Sequence, residues 1–212
     1  MPDRERWPWG LGRPFPLCVG RGLLLLLAAL GLASCTFPGS VKPTIKIGLS
    51  APFEGRYRDL GYEVLYAVRL AVRERNAAGG IADRYLIEFV ALNDFGEVDE
   101  ALVQARKMAV DPGVLGVLGG WSQEVSAALV PEYERLGVPF LTPSLDFSAS
   151  QPAGAVEAGF QAAYEELSGG VAPGAAAVWA YEAANRLLDA LDEAARAGGR
   201  PTRSAAWTAL ER

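Results

Sequence analysis

Ile45-Lys46-Ile47-Gly48-Leu49-Ser50-Ala51-Pro52 is an apolar-polar alternation that stops at a proline. Period two predicts a strand over Ile45 to Leu49, and Pro52 cannot continue a hydrogen-bonded ladder, so a loop must begin there. From Leu60 the period changes. Val64, Ala67, Val68, Ala71 and Val72 fall on one helical stripe, with Arg69, Arg73, Glu74 and Arg75 among the other positions, and Asn76 with Gly79-Gly80 stops the helix. A strand is predicted over Tyr85 to Leu92, a helix over Val98 to Val110 bounded by Asp111-Pro112-Gly113, and a strand over Val114 to Leu118. A helix over Ser122 to Leu136 and a strand over Val138 to Leu141, closed by Pro143, follow. Regular alternation of this kind predicts an α/β fold, a parallel sheet with helices on both faces. Ligands of such sheets bind beyond the carboxyl ends of the strands, where strand order reverses. The loops Ser50 to Asp59, Asn93 to Glu97, Gly119 to Gln123 and Thr142 to Phe147 should line that crevice.

Upstream of the strand, the apolar run Leu23 to Ala33 has the length of a signal-peptide core and is well short of the roughly 20 residues that a spanning helix needs. Arg4, Arg6, Arg13 and Arg21 precede it, and Leu32-Ala33-Ser34-Cys35 closes it. That ending resembles the lipobox of bacterial lipoproteins, which makes residues 1–35 a lipoprotein signal ending in the lipobox cysteine, with cleavage before Cys35 and Cys35 the lipidated first mature residue; an ordinary secretory signal with a chance cysteine is the alternative. The expectation is an exported protein, lipid-anchored to the outer face of the cell membrane or in the periplasm. Each buried methylene of the anchor would contribute about 0.8 kcal/mol. Residues 36–43, with Pro38, Gly39, Ser40 and Pro43, read as a spacer.

The sequence of 212 residues holds two cysteines and no histidine. Cys18 lies in the segment to be removed, so no disulfide, free thiol or cysteine metal site is expected in the mature chain. The segment before Cys35 carries four of the 20 basic and two of the 25 acidic residues, which leaves a mature net charge of −7. Nucleic acid is an unexpected partner at that charge, and the acidity itself is accounted for by solubility.

Several stretches together resemble the branched-chain amino-acid-binding proteins of ABC importers: Ile45-Lys46-Ile47-Gly48-Leu49 with Ala51-Pro52, Asn76-Ala77-Ala78-Gly79-Gly80-Ile81, Val117-Leu118-Gly119-Gly120-Trp121-Ser122, Pro131-Glu132-Tyr133, Gly137-Val138-Pro139 and Thr142-Pro143-Ser144. No one motif is specific; their order behind a lipobox is. The resemblance implies a type I periplasmic binding fold, with two lobes hinged around a small polar ligand, delivered to a membrane permease. Phe160, Tyr164, Gly169-Gly170, Pro173, Ala180-Tyr181-Glu182-Ala183, Leu187-Leu188 and Ala190-Leu191 resemble the late helices of the same family, and Arg203 to Leu210 the short helix after them.

Between Ser150 and Phe160 there is room only for a linker, where the family places a second lobe of about a hundred residues or more. The expected organisation is therefore a single, flavodoxin-like lobe: 44–150 as its N-terminal part, 151–158 as a linker replacing the second lobe, and 159–212 as helices packing back on the first lobe. A genuine internal deletion and an incomplete gene with a non-functional product both fit. Ala180, Ala184, Leu187, Leu188, Leu191 and Ala195 keep one apolar face, which favours a foldable product. If half the binding free energy of a micromolar site went with the second lobe, roughly 4 kcal/mol would be lost and binding would become about millimolar. Weak binding, or binding completed by a partner or a second copy, is the expectation.

By resemblance the ligand contacts fall on Trp121, Ser122 and Gln123 and on Ser144, Leu145 and Asp146; Glu54 and Tyr57 of the first loop are further candidates. Ser122 can donate to a carboxylate beside the amides of the following helix, and it is equally a helix N-cap. Trp121 can cover a ligand or cap the sheet end. Asp146 and Gln123 stand near positions where the family has small hydroxyl residues, which puts an unmodified branched-chain amino acid in doubt; Asp146 is also readable as linker. Asn93-Asp94 reads as a turn former after the second strand.

No phosphate loop or nucleophile elbow is present, and the acids Glu97, Asp99-Glu100 and Glu165-Glu166 read as solvated helix faces, so no enzymatic activity and no cofactor are expected. The expected function is delivery of an amino acid or amide-like solute to an ABC permease. The rival is a surface-tethered sensor or interaction module without a transport role. Apolar surface left by a missing lobe also predicts self-association.

Overall fold

The computed structural model describes residues 42–143 and 158–212. Four parallel strands, β1 (Thr44–Ala51), β2 (Leu86–Asn93), β3 (Val114–Leu118) and β4 (Phe140–Leu141), lie in the order β2-β1-β3-β4. Helices α1 (Arg58–Ala77), α2 (Val98–Val110) and α3 (Gln123–Leu136) make the crossovers. Helices α4 (Ala158–Ser168), α5 (Ala175–Gly198) and α6 (Arg203–Leu210) follow. The chain leaves β1 towards β2 on one side and returns past it to β3 on the other, so the strand order reverses between β1 and β3.

Strand alternation builds two cores. Ile45, Ile47, Leu49 and Ala51 face α1 and α5 with Val64, Val68, Leu187 and Leu188, while Val114 and Val117 face α2 and α3 with Ala105, Met108, Leu129 and Tyr133. Val114 and Val117 are three residues apart yet share a face, because β3 is bulged: Lys46 pairs with Val114 and Gly48 with Val117, so three steps on β3 meet two on β1. The extra residue brings Gly116 against α5. A Cβ there would lie 2.6 Å from Leu187 Cδ1, so any larger residue would force that buried side chain to shift.

The C-terminal helices belong to the same core as the N-terminal strands. Tyr181 Oη donates to Glu74 at 2.5 Å, Arg75 pairs with Asp189, and Asp192 accepts from the Ala82 amide at 2.7 Å. Glu63 on α1 accepts from the Ala177 amide at 2.9 Å, which satisfies an orphan donor in the first turn of α5. Arg203 on α6 donates to the carbonyls of Val114, Ala109 and Asp111 and ties that helix to the start of β3 and the end of α2. At the other end of α1, the Asn76 amide both donates to and accepts from the backbone of Ile87, an imitation of strand pairing that pins the helix end to the β2 edge.

The element boundaries differ little from those predicted. The first helix begins two residues early, at Arg58, and the fourth strand is reduced to Phe140–Leu141. Val138 is instead buried in the α2–α3 core, and its amide closes the end of α3 by donating to the Tyr133 carbonyl. Among the described residues no helix is long and apolar enough to cross a membrane. Cys35, the signal peptide, residues 36–41 of the spacer and residues 151–157 of the linker lie outside the described residues.

Candidate functional site

The carboxyl ends of β1 and β3 open a small crevice of about 150 Å³, lined by Pro52, Tyr57, Leu60, Asp94, Gly96, Trp121, Ser122 and Val125. It lies where strand order reverses, the position the topology assigns to a ligand. Its wall on the β1 side is the loop after Pro52, which a short 3₁₀ turn (Gly55–Tyr57) folds back over the sheet end. Asn93 Oδ1 accepts from the amides of Phe53 (2.9 Å) and Phe95 (3.1 Å), so one side chain at the end of β2 holds both loops. The Tyr57 ring rests against Gly96, where a Cβ would come within 3.1 Å of it.

On the β3 side, Gly119-Gly120 turns the chain. Gly120 has φ +73° and a Cβ there would lie 2.7 Å from Thr142 Oγ1, so the turn demands glycine on both counts. It delivers Trp121 and Ser122 to the crevice. Trp121 Nε1 donates to the Ser50 carbonyl at 2.8 Å, and its ring meets Trp179 edge-on at 5.5 Å. One face is thus fixed to the sheet end while the side chain still lines the cavity. Ser122 caps α3, accepting from the Val125 amide at 3.3 Å. The preceding amides of Gln123 and Glu124 have no acceptor among the described residues and lie at the positive end of the helix dipole.

The floor holds a buried acid. Asp94 is 1% exposed; its carboxylate accepts from Ser50 Oγ at 2.8 Å and from the Gly96 amide at 2.9 Å. Burial pushes its pKa up, against the opposing pull of the Gly96 and Ser50 hydrogen bonds. Tyr133 in the same interior is raised as well, by burial first and the Asp94 charge second. Because folded Asp94 holds its proton to higher pH than the unfolded chain does, its contribution to stability is complete below the unfolded carboxyl range and declines as pH rises through the folded value. Urea denaturation at pH 4 and pH 7 should therefore show the wild type losing stability relative to Asp94→Asn as pH rises; a constant difference between the two proteins would refute this.

Of the candidate residues, the structure brings Tyr57, Trp121 and Ser122 to one cavity. Gln123 is the exposed first residue of α3 and Glu54 is exposed just before the 3₁₀ turn; neither lines it. Ser144, Leu145 and Asp146 lie outside the described residues. Asp94 is a lining residue that sequence reasoning placed only in a turn. It does fold that turn, and no local pattern separates a turn aspartate from one that also floors a cavity. Leu60 and Val125 read as ordinary apolar helix positions; their place in the first turns of α1 and α3 was the available signal. Among the described residues no group of three His, Cys, Asp or Glu side chains could hold a metal ion.

A family model described as periplasmic binding protein matches residues 44–158, more than half of the chain. The chain belongs to the periplasmic binding protein family. Leu/Ile/Val-binding protein homolog 7 of Brucella abortus (strain 2308) is 29% identical to it over 117 residues, and homolog 8 from the same strain is 31% identical over 118. These matches take in 55% of this binding protein but only 28% and 29% of the respective relatives, so the chain spans less than a third of their length. A crystal structure from Rhodospirillum rubrum, provisionally assigned to a branched-chain amino acid ABC transporter, superposes with a TM-score of 0.67 at 19% identity. It covers 79% of this chain and 88% of its own, a likeness of fold. The binding-protein fold is thus an α/β parallel sheet with helices on both faces, and the coverage of the longer relatives fits one lobe.

Proposed function

We propose that this lobe binds a small amino-acid-like solute at the crevice between β1 and β3 and presents it to an ABC permease, from an exported position held by a lipid on Cys35. The observation that carries this reading is the meeting of Tyr57, Trp121 and Ser122 at the strand-order reversal of a chain from the periplasmic binding protein family. The names of the Brucella relatives support an amino acid as the class of ligand. Chemically, the free amides at the start of α3 and the Ser122 hydroxyl suit a carboxylate, and the Tyr57 and Trp121 rings suit the apolar part of a solute. A cavity of about 150 Å³ is small against the roughly 300 Å³ or more of closed ligand pockets, so one lobe leaves much of a bound solute in water and binding should be weak, about millimolar.

Thermal unfolding followed by Trp fluorescence, against Leu, Ile, Val, polar amino acids, amides and small amines, tests this. With a millimolar dissociation constant, 10 mM ligand should stabilise the lobe by about 1.4 kcal/mol. Trp121→Ala should abolish the shift while keeping a cooperative transition. A cooperative wild-type transition unmoved by every compound would sink the proposal and favour the interaction-module reading.

A further inference from the structure

The surface around the crevice has an ordered distribution of charge. On the α1 flank, Arg56 and Arg58 are exposed, each 5.7 Å from the centre of a neighbouring ring, Tyr57 and Tyr62 respectively. Arg58 reaches only its chain neighbour Asp59, at 4.0 Å, and Arg56 has no ion pair among the described residues. On the opposite flank, Glu97 and Asp99 at the start of α2 and Glu124 at the start of α3 line one shallow groove; all three are exposed and none is ion-paired among the described residues. Helix dipoles account for acids at these starts, but not for their standing across an exposed aromatic rim from two exposed arginines.

That rim takes in Tyr57, which lines the crevice, Phe95, which lies in the chain between the lining residues Asp94 and Gly96, and Tyr62 on α1; they are 50%, 42% and 38% exposed. Phe95 has φ +55°, a left-handed backbone that is costly for a bulky residue. The Asn93 side chain holds it there through the Phe95 amide. Strain of this kind usually persists where a function requires it, and here its result is an exposed aromatic ring between Asp94 and Gly96, two residues that line the crevice.

From flank to flank the surface reads basic, aromatic, acidic. That order is complementary to itself: a half-turn about an axis through the crevice sets the acidic flank of a second copy on Arg56 and Arg58, its basic flank on Glu97, Asp99 and Glu124, and aromatic rim on aromatic rim. We propose that two copies of this chain dock crevice to crevice through this surface, each covering the solute held by the other. The covering role rests on the solute-binding reading above; the docking does not.

Sedimentation equilibrium of the full chain in mild detergent, from micromolar to millimolar concentration, tests the docking. The wild type should dimerise. Arg56→Glu/Arg58→Glu makes both flanks acidic and Glu97→Lys/Asp99→Lys/Glu124→Lys makes both basic, so each variant alone should dimerise at least about tenfold more weakly. An equimolar mixture of the two should recover the wild-type affinity to within about threefold, a result that two misfolded chains could not give. A wild type that stays monomeric, charge reversals without effect, or a mixture that fails to recover would each overturn the proposal. A monomer whose unfolding temperature still rises with solute would overturn docking and leave solute binding standing; a charge-dependent dimer indifferent to every solute would do the reverse.

Discussion

Leu187→Ala is expected to lower the unfolding free energy by about 3–4 kcal/mol. Leu187 is fully buried in the middle of α5, its methyls over the Gly116 bulge of β3. Removing three carbons forfeits their transfer free energy and leaves a cavity that β3, hydrogen-bonded on both sides, cannot collapse to fill. The effect reports on organisation, because α5 enters the chain after residues 144–157, and a loss of this size requires it to share one cooperative unit with β1 and β3. A second substitution sharpens the test. Gly116→Ala alone places a methyl 2.6 Å from Leu187 Cδ1 and should destabilise, whereas in the Leu187→Ala background the same methyl enters the cavity and should recover about 1 kcal/mol. Urea denaturation of the four proteins measures this. A Leu187→Ala loss under 1 kcal/mol, or a Gly116→Ala effect of the same sign in both backgrounds, would mean that α5 does not seat on the bulge.

Gly61→Val should cost about 3 kcal/mol and with it the crevice. A Cβ at Gly61 would lie 2.0 Å from the Pro52 carbonyl oxygen and 2.5 Å from its carbon, backbone atoms of the loop that leaves β1. No rotamer change relieves that contact, so either α1 moves off the sheet or the Pro52–Tyr57 loop moves off the crevice. The first outcome appears as a fall in unfolding temperature of about 6–12 °C for a domain of this size. The second appears in the fraction that stays folded, which should lose any ligand-induced shift together with the Tyr57 wall. A Gly61→Val protein with wild-type stability and ligand response would show that the loop does not lie on α1 as described.

How far the fold was legible depended on whether the signal was local. The helix over Val98 to Val110 and the strand over Val114 to Leu118 stand as predicted, because Asp111-Pro112-Gly113 punctuates the change from period 3.6 to period 2. The β3 bulge was not legible. Gly116 in an apolar run looks like any small strand residue, and its reason is a methyl of Leu187 more than seventy positions away. The pairing of Asp94 with Ser50 was hidden likewise, since each residue has a sufficient local role, one in a turn and one at a strand end.

Sequence by itself determined the order and type of the elements, the parallel α/β class, three of the loops that gather at the crevice, those after Ser50, Asn93 and Gly119, and the family to which the chain belongs. Those follow from periodicity, punctuating residues and ordered motifs, all properties of neighbours along the chain. Tertiary structure alone decided that Tyr57, Trp121 and Ser122 meet while Gln123 and Glu54 stay outside, that Asp94 is buried beneath them, and that exposed arginines and exposed acids stand on opposite flanks of the crevice. Each of these depends on side chains from different crossovers reaching one end of the sheet, and distances across a sheet are set by packing, which no local pattern records.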